Sequence, residues 1–349
     1  MKHLRAILVL LVALSTIAQA QISDIIRING YGSVEFEKMF QDRGRGDLKG
    51  SFDSDGFDLV LNITPAERFR IAADLNWEHG TSTELNFGNT GYEYIFAEYT
   101  VSDLLKIRAG KQFISFGIVN EIHTAKPALL TVKEPSATVR TDRVGGPVFF
   151  YPRWGTGLSM TGDGNFLTMP FDYIVQLTNG DHSFGNPFEK DYDKTKALNG
   201  RLRGTVWREG GNQAKVGASF YSDSGDSLAV SSFGAQVQGI IGNFGIDVEY
   251  MSGSYEPSKK PSISRFGYYV QAAYTFDSRF TPYVRWESYD PNDGKSDDGA
   301  NVLVAGLNLA MNDYLFLKIE IDRFLSSVQN PRHKGVNYTE LKSSVSFGF

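Results

Sequence analysis

The chain has 349 residues, of which 41% are hydrophobic, 13% aromatic and 21% charged, and it contains no cysteine. Its formal net charge of −5 argues against a nucleic-acid partner. The lack of cysteine excludes disulfide bridges, covalent c-type haem attachment and thiolate metal sites. We also expect no cofactor and no metal.

Residues 1–20 have the three parts of a secretory signal peptide. They begin with basic Lys2 and Arg5, continue with an apolar stretch over 6–14, and end in the small residues of Ala18-Gln19-Ala20. We predict that this segment is cleaved and that residues 21–349 form one domain. Removing Lys2 and Arg5 leaves 33 basic and 40 acidic residues, a net charge of 33 − 40 = −7.

Short runs in which apolar and polar residues alternate follow one another along the mature chain, and no helical pattern competes with them. We count about sixteen runs, and a period of two places successive side chains on opposite faces of a strand. No run has the roughly 18 consecutive apolar residues of a transmembrane helix. The predicted strands are 26–39, 52–64, 67–79, 91–101, 104–115, 147–162, 166–178, 198–209, 212–223, 231–241, 243–253, 263–276, 279–289, 300–310, 313–325 and 337–349.

The connections between these runs alternate between tight and long. The tight joins, rich in Gly, Pro, Asn, Asp and Ser, are 64–67, 101–103, 162–165, 209–212, 241–243, 276–279 and 311–313. The long joins are 41–51, 80–90, 114–146, 179–197, 224–230, 254–262, 290–299 and 326–336. Short periplasmic turns and long extracellular loops are typical of outer-membrane barrels, whereas a soluble β-sandwich has no reason for this pattern.

The two faces of the runs favour the same interpretation. Leu317, Ile319 and Ile321 alternate with Lys318, Glu320 and Asp322. A lysine at mid-strand on the lipid side would cost about 2–4 kcal/mol, so the charged face must point inward. Phe349 gives the last run an aromatic end, as is common in outer-membrane barrels. We predict an all-β fold, a transmembrane antiparallel β-barrel of about 16 strands in the Gram-negative outer membrane, in contact with lipid and lipopolysaccharide.

Charged residues on the inferred inner wall are the candidates for the pore lining. They permit two interpretations: they set ion selectivity, or they pair across strands and only solvate the lumen. The predicted pore-lining residues are Arg70, Asp74, Glu98, Lys106, Arg108, Arg201, Arg203, Arg285, Glu287, Lys318 and Glu320.

The longest connection, 114–146, is the candidate constriction, because a long loop without periodicity is usually functional and an infolded loop can narrow a wide barrel. The alternative is an external loop lying over the mouth. Four basic against three acidic residues, with the histidine mostly neutral, indicate a slight preference for anions. The predicted constriction residues are Glu121, His123, Lys126, Lys133, Glu134, Arg140, Asp142 and Arg143.

Two motifs carry a family resemblance. Residues 105–117, read as LKIRAGKQFISFG and followed by Glu121, and residues 171–180, read as FDYIVQLTNG, resemble the phosphate-selective porin O/P family. The resemblance implies a sixteen-stranded barrel, often a homotrimer, that passes small solutes. The chain departs from the family in having Ser115 where a turn proline is usual, and its wall has no dense ladder of arginines.

The expected function is a porin, a passive diffusion channel for small hydrophilic solutes or ions. Two other classes remain open. A structural or receptor barrel would, for example, form a sheath around a partner such as a cytochrome. A barrel enzyme would use His79, His123, His182 or His333 in or beside the long loops, although neither a GxSxG nor an HExxH motif accompanies them.

Overall fold

The chain forms sixteen strands because its alternating runs suit a wall with one apolar and one polar face. The computed structural model describes residues 25–40, 49–78, 89–138, 150–180, 195–225, 228–258, 260–329 and 335–349. The predicted signal peptide and the predicted constriction residues Arg140, Asp142 and Arg143 lie outside these ranges. The histidines His79, His182 and His333 do so as well.

The strands follow one another around a closed antiparallel barrel, in which each pairs with its sequence neighbours and the first pairs with the last. This confirms the predicted fold class. The strands are β1 (Ile26–Met39), β2 (Ser51–Ala66), β3 (Phe69–Glu78), β4 (Asn89–Ser102), β5 (Leu105–Phe113), β6 (Trp154–Phe166), β7 (Met169–Thr178), β8 (Ala197–Glu209), β9 (Asn212–Ser224), β10 (Leu228–Ile241), β11 (Phe244–Pro257), β12 (Ile263–Tyr274), β13 (Phe280–Asp290), β14 (Ala300–Ala310), β15 (Leu315–Ser326) and β16 (Tyr338–Gly348).

The barrel closes between β1 and β16, with a register that runs from Tyr31 opposite Gly348 to Met39 opposite Glu340. Phe349 extends this pairing: its N–H donates to the Gly30 carbonyl at 2.8 Å, and the Gly30 N–H donates to the Phe349 carbonyl at 3.0 Å. Closure removes the free edges that an open sheet would present.

Burial follows the predicted faces. On β15, Lys318, Glu320 and Asp322 are buried, whereas Ile319 and Ile321 are exposed at 46% and 50%. In a closed barrel the exposed side chains form the outer surface, so the charged side chains face the interior. Within the described ranges, no helix is long and apolar enough to cross a membrane.

Two predicted boundaries, both of the strand β6, are wrong. The run 147–162 was expected to be a strand, but β6 begins only at Trp154, because Pro152 cannot donate to a ladder and ends regular pairing before it. Residues 162–165, which were expected to form a tight turn, belong to the paired strands of the β6–β7 hairpin instead. Asp163 pairs with Asp172 there, and the chain turns at Leu167 and Thr168, where Leu167 has a φ of 59°.

Two of the connections predicted to be long are short. Residues 225–227 connect β9 to β10, and residues 258–262 connect β11 to β12. The polar, serine-rich ends of these runs continue the strand pairing instead of leaving it, since Ala229 pairs with Ser224 and Leu228 pairs with Pro257. The connection between β5 and β6, by contrast, spans 114–153 and is longer than expected.

Candidate functional site

The segment after β5 enters the barrel instead of leaving its rim. The Ser115 N–H donates to Gln176 Oε1 on β7 at 2.8 Å, and the Gly117 N–H donates to Ser219 Oγ on β9 at 3.1 Å. The Ile118 N–H donates to Glu249 Oε1 on β11 at 2.8 Å. These acceptors are buried side chains of the inner face.

The segment then crosses to the opposite wall. Thr124 Oγ1 lies 2.9 Å from the hydroxyl of Tyr31 on β1, and the Val132 N–H donates to Glu320 Oε2 on β15 at 3.1 Å. Lys318 Nζ, also on β15, donates to the carbonyls of Lys126 at 2.6 Å, Leu129 at 2.5 Å and Thr131 at 3.3 Å.

The segment then returns to β11, the strand that Ile118 contacts. The Ala137 N–H donates to Glu287 Oε2 on β13 at 2.9 Å, and Thr138 Oγ1 donates to Glu249 Oε2 on β11 at 3.4 Å. Glu249 therefore holds Ile118 with one oxygen and Thr138 with the other. We call residues 118–138 the inner lobe, because its two ends meet at one carboxylate.

Backbone geometry and apolar packing hold the entrance to the inner lobe. Gly117 has a φ of +67°, and a Cβ there would collide with the Glu249 carboxylate, so only glycine fits. Phe116 stacks on Tyr151 with ring centroids 4.4 Å apart, and both belong to a buried cluster with Ile114 and Met251.

Two carboxylates of the predicted constriction are paired with arginines. Glu121 forms an ion pair with Arg201 of β8, and Glu134 accepts two hydrogen bonds from Arg153 at 3.2 and 3.3 Å. Burial by itself would raise the pKa of each carboxyl. The facing guanidinium outweighs that effect, so the pKa of Glu121 is lowered and that of Glu134 falls to about 2.

The two lysines of the inner lobe share carboxylates of β1 and β2. Lys126 Nζ lies 3.0 Å from Asp55 and 3.6 Å from Glu35. Lys133 forms ion pairs with Glu35, with Glu37 at 3.1 Å and with Asp55 at 3.2 Å. Their charges are therefore compensated within the protein.

His123 is buried and neutral. Burial and, to a smaller extent, the positive charge of Arg153 together lower its pKa to about 3. In the neutral ring Nδ1–H donates to the Asn120 carbonyl at 2.7 Å. Nε2 lies 3.7 Å from Glu93, which also accepts a hydrogen bond from Trp154 Nε1 at 2.7 Å.

The predicted pore-lining residues on the remaining wall form side-chain pairs, which join different strands except for Arg285 with Glu287, both on β13. Arg70 and Arg108 both pair with Glu98, with Arg70 Nη2 at 3.1 Å from the carboxylate. These pairs favour the interpretation that many wall charges neutralise one another. The other pairs are Lys106 with Asp163 at 2.8 Å, Arg203 with Asp172 at 2.9 Å and Arg285 with Glu287 at 2.6 Å, while Asp74 accepts a hydrogen bond from Tyr31 at 2.6 Å.

A cavity of about 180 Å³ remains between the inner lobe and the wall of β2 and β3. Lys126 and Lys133 line it from the side of the lobe, while Asp58, Asn76 and Glu78 line it from the wall. Glu134 and Arg153 also line it, so charges of both signs surround the cavity. Among the described residues, no group of three or more His, Asp or Glu side chains could hold a metal ion.

Arg153 and Tyr151 are absent from the predicted site residues, because both fall in the run 147–162, whose pattern predicts a strand. Arg153 is buried and neutralises Glu134, and Tyr151 supports the entrance to the inner lobe. The flanking Pro147 and Pro152 were the available signal that this stretch belongs to the loop.

Comparisons with solved structures relate this fold to known barrels. The anion-selective porin of Comamonas acidovorans superposes with a TM-score of 0.65 at 11% identity, over 93% of this chain and 99% of that one. The fold is that of outer-membrane porin barrels. The outer membrane channel DcaP of Acinetobacter baumannii gives 0.62 at 10% identity, over 93% and 97% of the two chains.

The trimer form of OmpT, an outer membrane protein of Vibrio cholerae, gives a TM-score of 0.60 at 10% identity, over 93% and 99% of the chains. No protein-family profile matches the sequence. No curated protein matches it either. At such low identity the likeness extends to the fold alone.

Proposed function

We propose that this protein is a porin, a passive water-filled channel of the outer membrane that passes small hydrophilic solutes or ions. The observation that carries the proposal is the inner lobe, which crosses a closed barrel and is hydrogen-bonded to both walls. A charged cavity of about 180 Å³ lies between the lobe and the wall of β2 and β3. A loop held in this way narrows a channel without closing it.

The structural neighbours support a channel, since one is named a porin and another an outer membrane channel. The resemblance to the phosphate-selective porin O/P family supports the same class. We propose a homotrimer, in keeping with that family and with the trimer form of the Vibrio cholerae protein. Outer-membrane lipid and lipopolysaccharide would then surround the assembly.

We propose that the preference for anions at the inner lobe is weak. The sequence-based expectation rested on Lys126, Lys133, Arg140 and Arg143, and the first two share the carboxylates of Glu35 and Asp55. Compensated charges attract mobile ions less than free ones do. A stronger preference would need a cation that the protein does not neutralise.

The interior geometry weighs against the other two classes. A sheath needs an open lumen for its partner, whereas the inner lobe occupies this one. For an enzyme, His123 is the histidine that the described residues place in the interior, and its Nδ1 is engaged by a backbone carbonyl.

Planar-bilayer recordings test the proposal. We expect ohmic channels, and charge reversal at Lys126, Lys133, Arg140 and Arg143 should lower the conductance and shift the reversal potential toward cation preference. The matched control exchanges the charges of Lys106 and Asp163, which pair at the end of β5 away from the inner lobe. This exchange keeps their attraction, so conductance and ion preference should change little. If reversing all four residues leaves conductance and ion preference unchanged, the constriction is assigned wrongly.

A further inference from the structure

Among the described residues, one buried arginine of the inner wall forms no ion pair with a carboxylate, whereas the other buried arginines of the interior do. Arg265 is the third residue of β12, and its side chain is 1% exposed. Its Nε, Nη1 and Nη2 have no hydrogen-bond partner among the described residues. By comparison, Arg153, Arg201 and Arg285 each contact a carboxylate.

The face of this guanidinium lies against an aromatic ring. Arg265 Cζ lies over the ring of Phe150 at 5.0 Å from its centroid. A cation–π contact uses the face of the guanidinium and leaves its in-plane N–H donors free. Those donors form a rigid fork that matches a carboxylate or a phosphate group.

The surrounding residues fix the ring in place. Ser232 Oγ on β10 donates to the Phe150 carbonyl, and Tyr289 on β13 meets the Phe150 ring edge-on, with centroids 6.3 Å apart. Opposite Arg265 on β11 lies Gly253, which carries no side chain that could accept a hydrogen bond. The guanidinium is therefore held in one position before any ligand arrives.

Asp293 lines a cavity together with Arg265 but accepts no hydrogen bond from its guanidinium. Two carboxylates on the neighbouring strands β11 and β13 are engaged elsewhere. Glu249 holds the two ends of the inner lobe, and Glu287 is bound by Arg285 and by the Ala137 N–H. A buried charge without a partner is strongly unfavourable. An anionic ligand would remove this cost.

We propose that Arg265 is the binding group of an oxyanion site, which takes the carboxylate or phosphate group of a small solute through its free N–H fork. Arg265 lies near the end of β12 that follows the connection 258–262, at the end of the barrel opposite both termini. An anion would reach it there before it meets the inner lobe. The site supplies the uncompensated cation that the lobe lacks, and only the route of entry rests on the proposed channel.

Thermal unfolding of the full-length protein in detergent tests the site. At equal ionic strength, inorganic phosphate should raise the unfolding midpoint of the wild type above its value in chloride, and acetate should do so if carboxylates also bind. In Arg265→Met the apparent dissociation constant for phosphate should be weaker by about ten-fold or more. The conservative variant Arg265→Lys keeps the charge but lacks the planar fork of donors. Its apparent dissociation constant for phosphate should lie between those of the wild type and Arg265→Met.

Arg203→Met is the matched control, because Arg203 is already paired with Asp172 on the inner wall, and it should retain the response to phosphate. In chloride alone, Arg265→Met should unfold no earlier than the wild type, since it removes an unpaired buried charge. Equal responses to phosphate in wild type and Arg265→Met would overturn the proposal. So would a large loss of stability in chloride, which would mean that Arg265 has a partner within the protein.

Bilayer recordings in chloride separate the two proposals. Channels that conduct in chloride while phosphate has no effect on unfolding would overturn the oxyanion site and leave the channel standing. Phosphate-dependent stabilisation in a protein that forms no channels would support the site and contradict the proposed function.

Discussion

At the scale of single residues, the interior of this barrel is a set of buried charges that are compensated one at a time. Glu121 is neutralised by Arg201, Glu134 by Arg153, and the two lysines of the inner lobe by Glu35 and Asp55. Removing one member of such a pair leaves the other charge buried and unpaired, which typically costs about 3–5 kcal/mol. These pairs therefore fix the conformation of the lobe more than they set the net charge of the opening.

We predict that acid weakens the protein over a range set by Glu134 and His123. Glu134 has a folded pKa of about 2 against an ordinary 4.5, so its stabilisation is present above 4.5 and is lost as the pH falls through about 2. His123 has a folded pKa of about 3 against 6.5, and the unfolded chain takes up its proton first. Both groups act in the same direction, so the urea midpoint in detergent should fall from pH 7 to 3.

The variant His123→Gln separates the two contributions, because glutamine offers an N–H donor for the Asn120 carbonyl but does not titrate. We expect its unfolding midpoint to change little between pH 6.5 and 4.5, where the wild type already loses stability. Identical pH profiles for the two proteins would contradict the assignment of a buried neutral His123.

At the scale of elements, the inner lobe behaves as a closed unit whose ends meet at Glu249 and whose middle rests on Lys318. A single ammonium that donates to three carbonyls satisfies backbone groups that would otherwise be buried without a partner. Gly117 provides the left-handed turn that starts the unit. The lobe is therefore positioned by strands β11, β13 and β15 together.

We predict that Lys318→Met loosens the lobe. The loss of three buried hydrogen bonds should lower the free energy of unfolding by about 1–3 kcal/mol and make single-channel currents noisier. The control Lys106→Met removes a partly exposed pair with Asp163, for which less than about 1 kcal/mol is expected. Equal losses in the two variants would show that Lys318 does not hold the lobe.

The strands could be predicted from the sequence because the lipid and the interior impose opposite demands on neighbouring residues. Leu317 through Asp322 show this alternation in the sequence and again in their burial. The inner lobe has no such alternation of apolar and polar residues. Its length therefore indicates a constriction, but its path through the barrel cannot be predicted from the sequence. The ion pairs of Glu121 and Lys133 join residues far apart in sequence, and one sequence does not reveal which partner each charge selects.

At the scale of the whole molecule, the outer surface is apolar where neighbouring strands face outward. Val270, Val284, Leu303 and Ile319 are exposed on the four adjacent strands from β12 to β15. A protein surrounded by water rarely exposes so continuous an apolar surface, whereas a barrel in lipid requires it. The wall therefore has an apolar outer face that suits hydrocarbon and a charged inner face that suits water.

The single-channel conductance of a variant without its inner lobe tests the channel and its constriction together. Residues 119–137 would be replaced by a short glycine linker, which is feasible because Ile118 and Thr138 are bound by the same Glu249 carboxylate. We predict that the wild type conducts and that the shortened protein conducts several-fold more, since the obstruction is removed. An unchanged conductance, or the absence of channels from both folded proteins, would contradict a barrel whose channel is narrowed by this lobe.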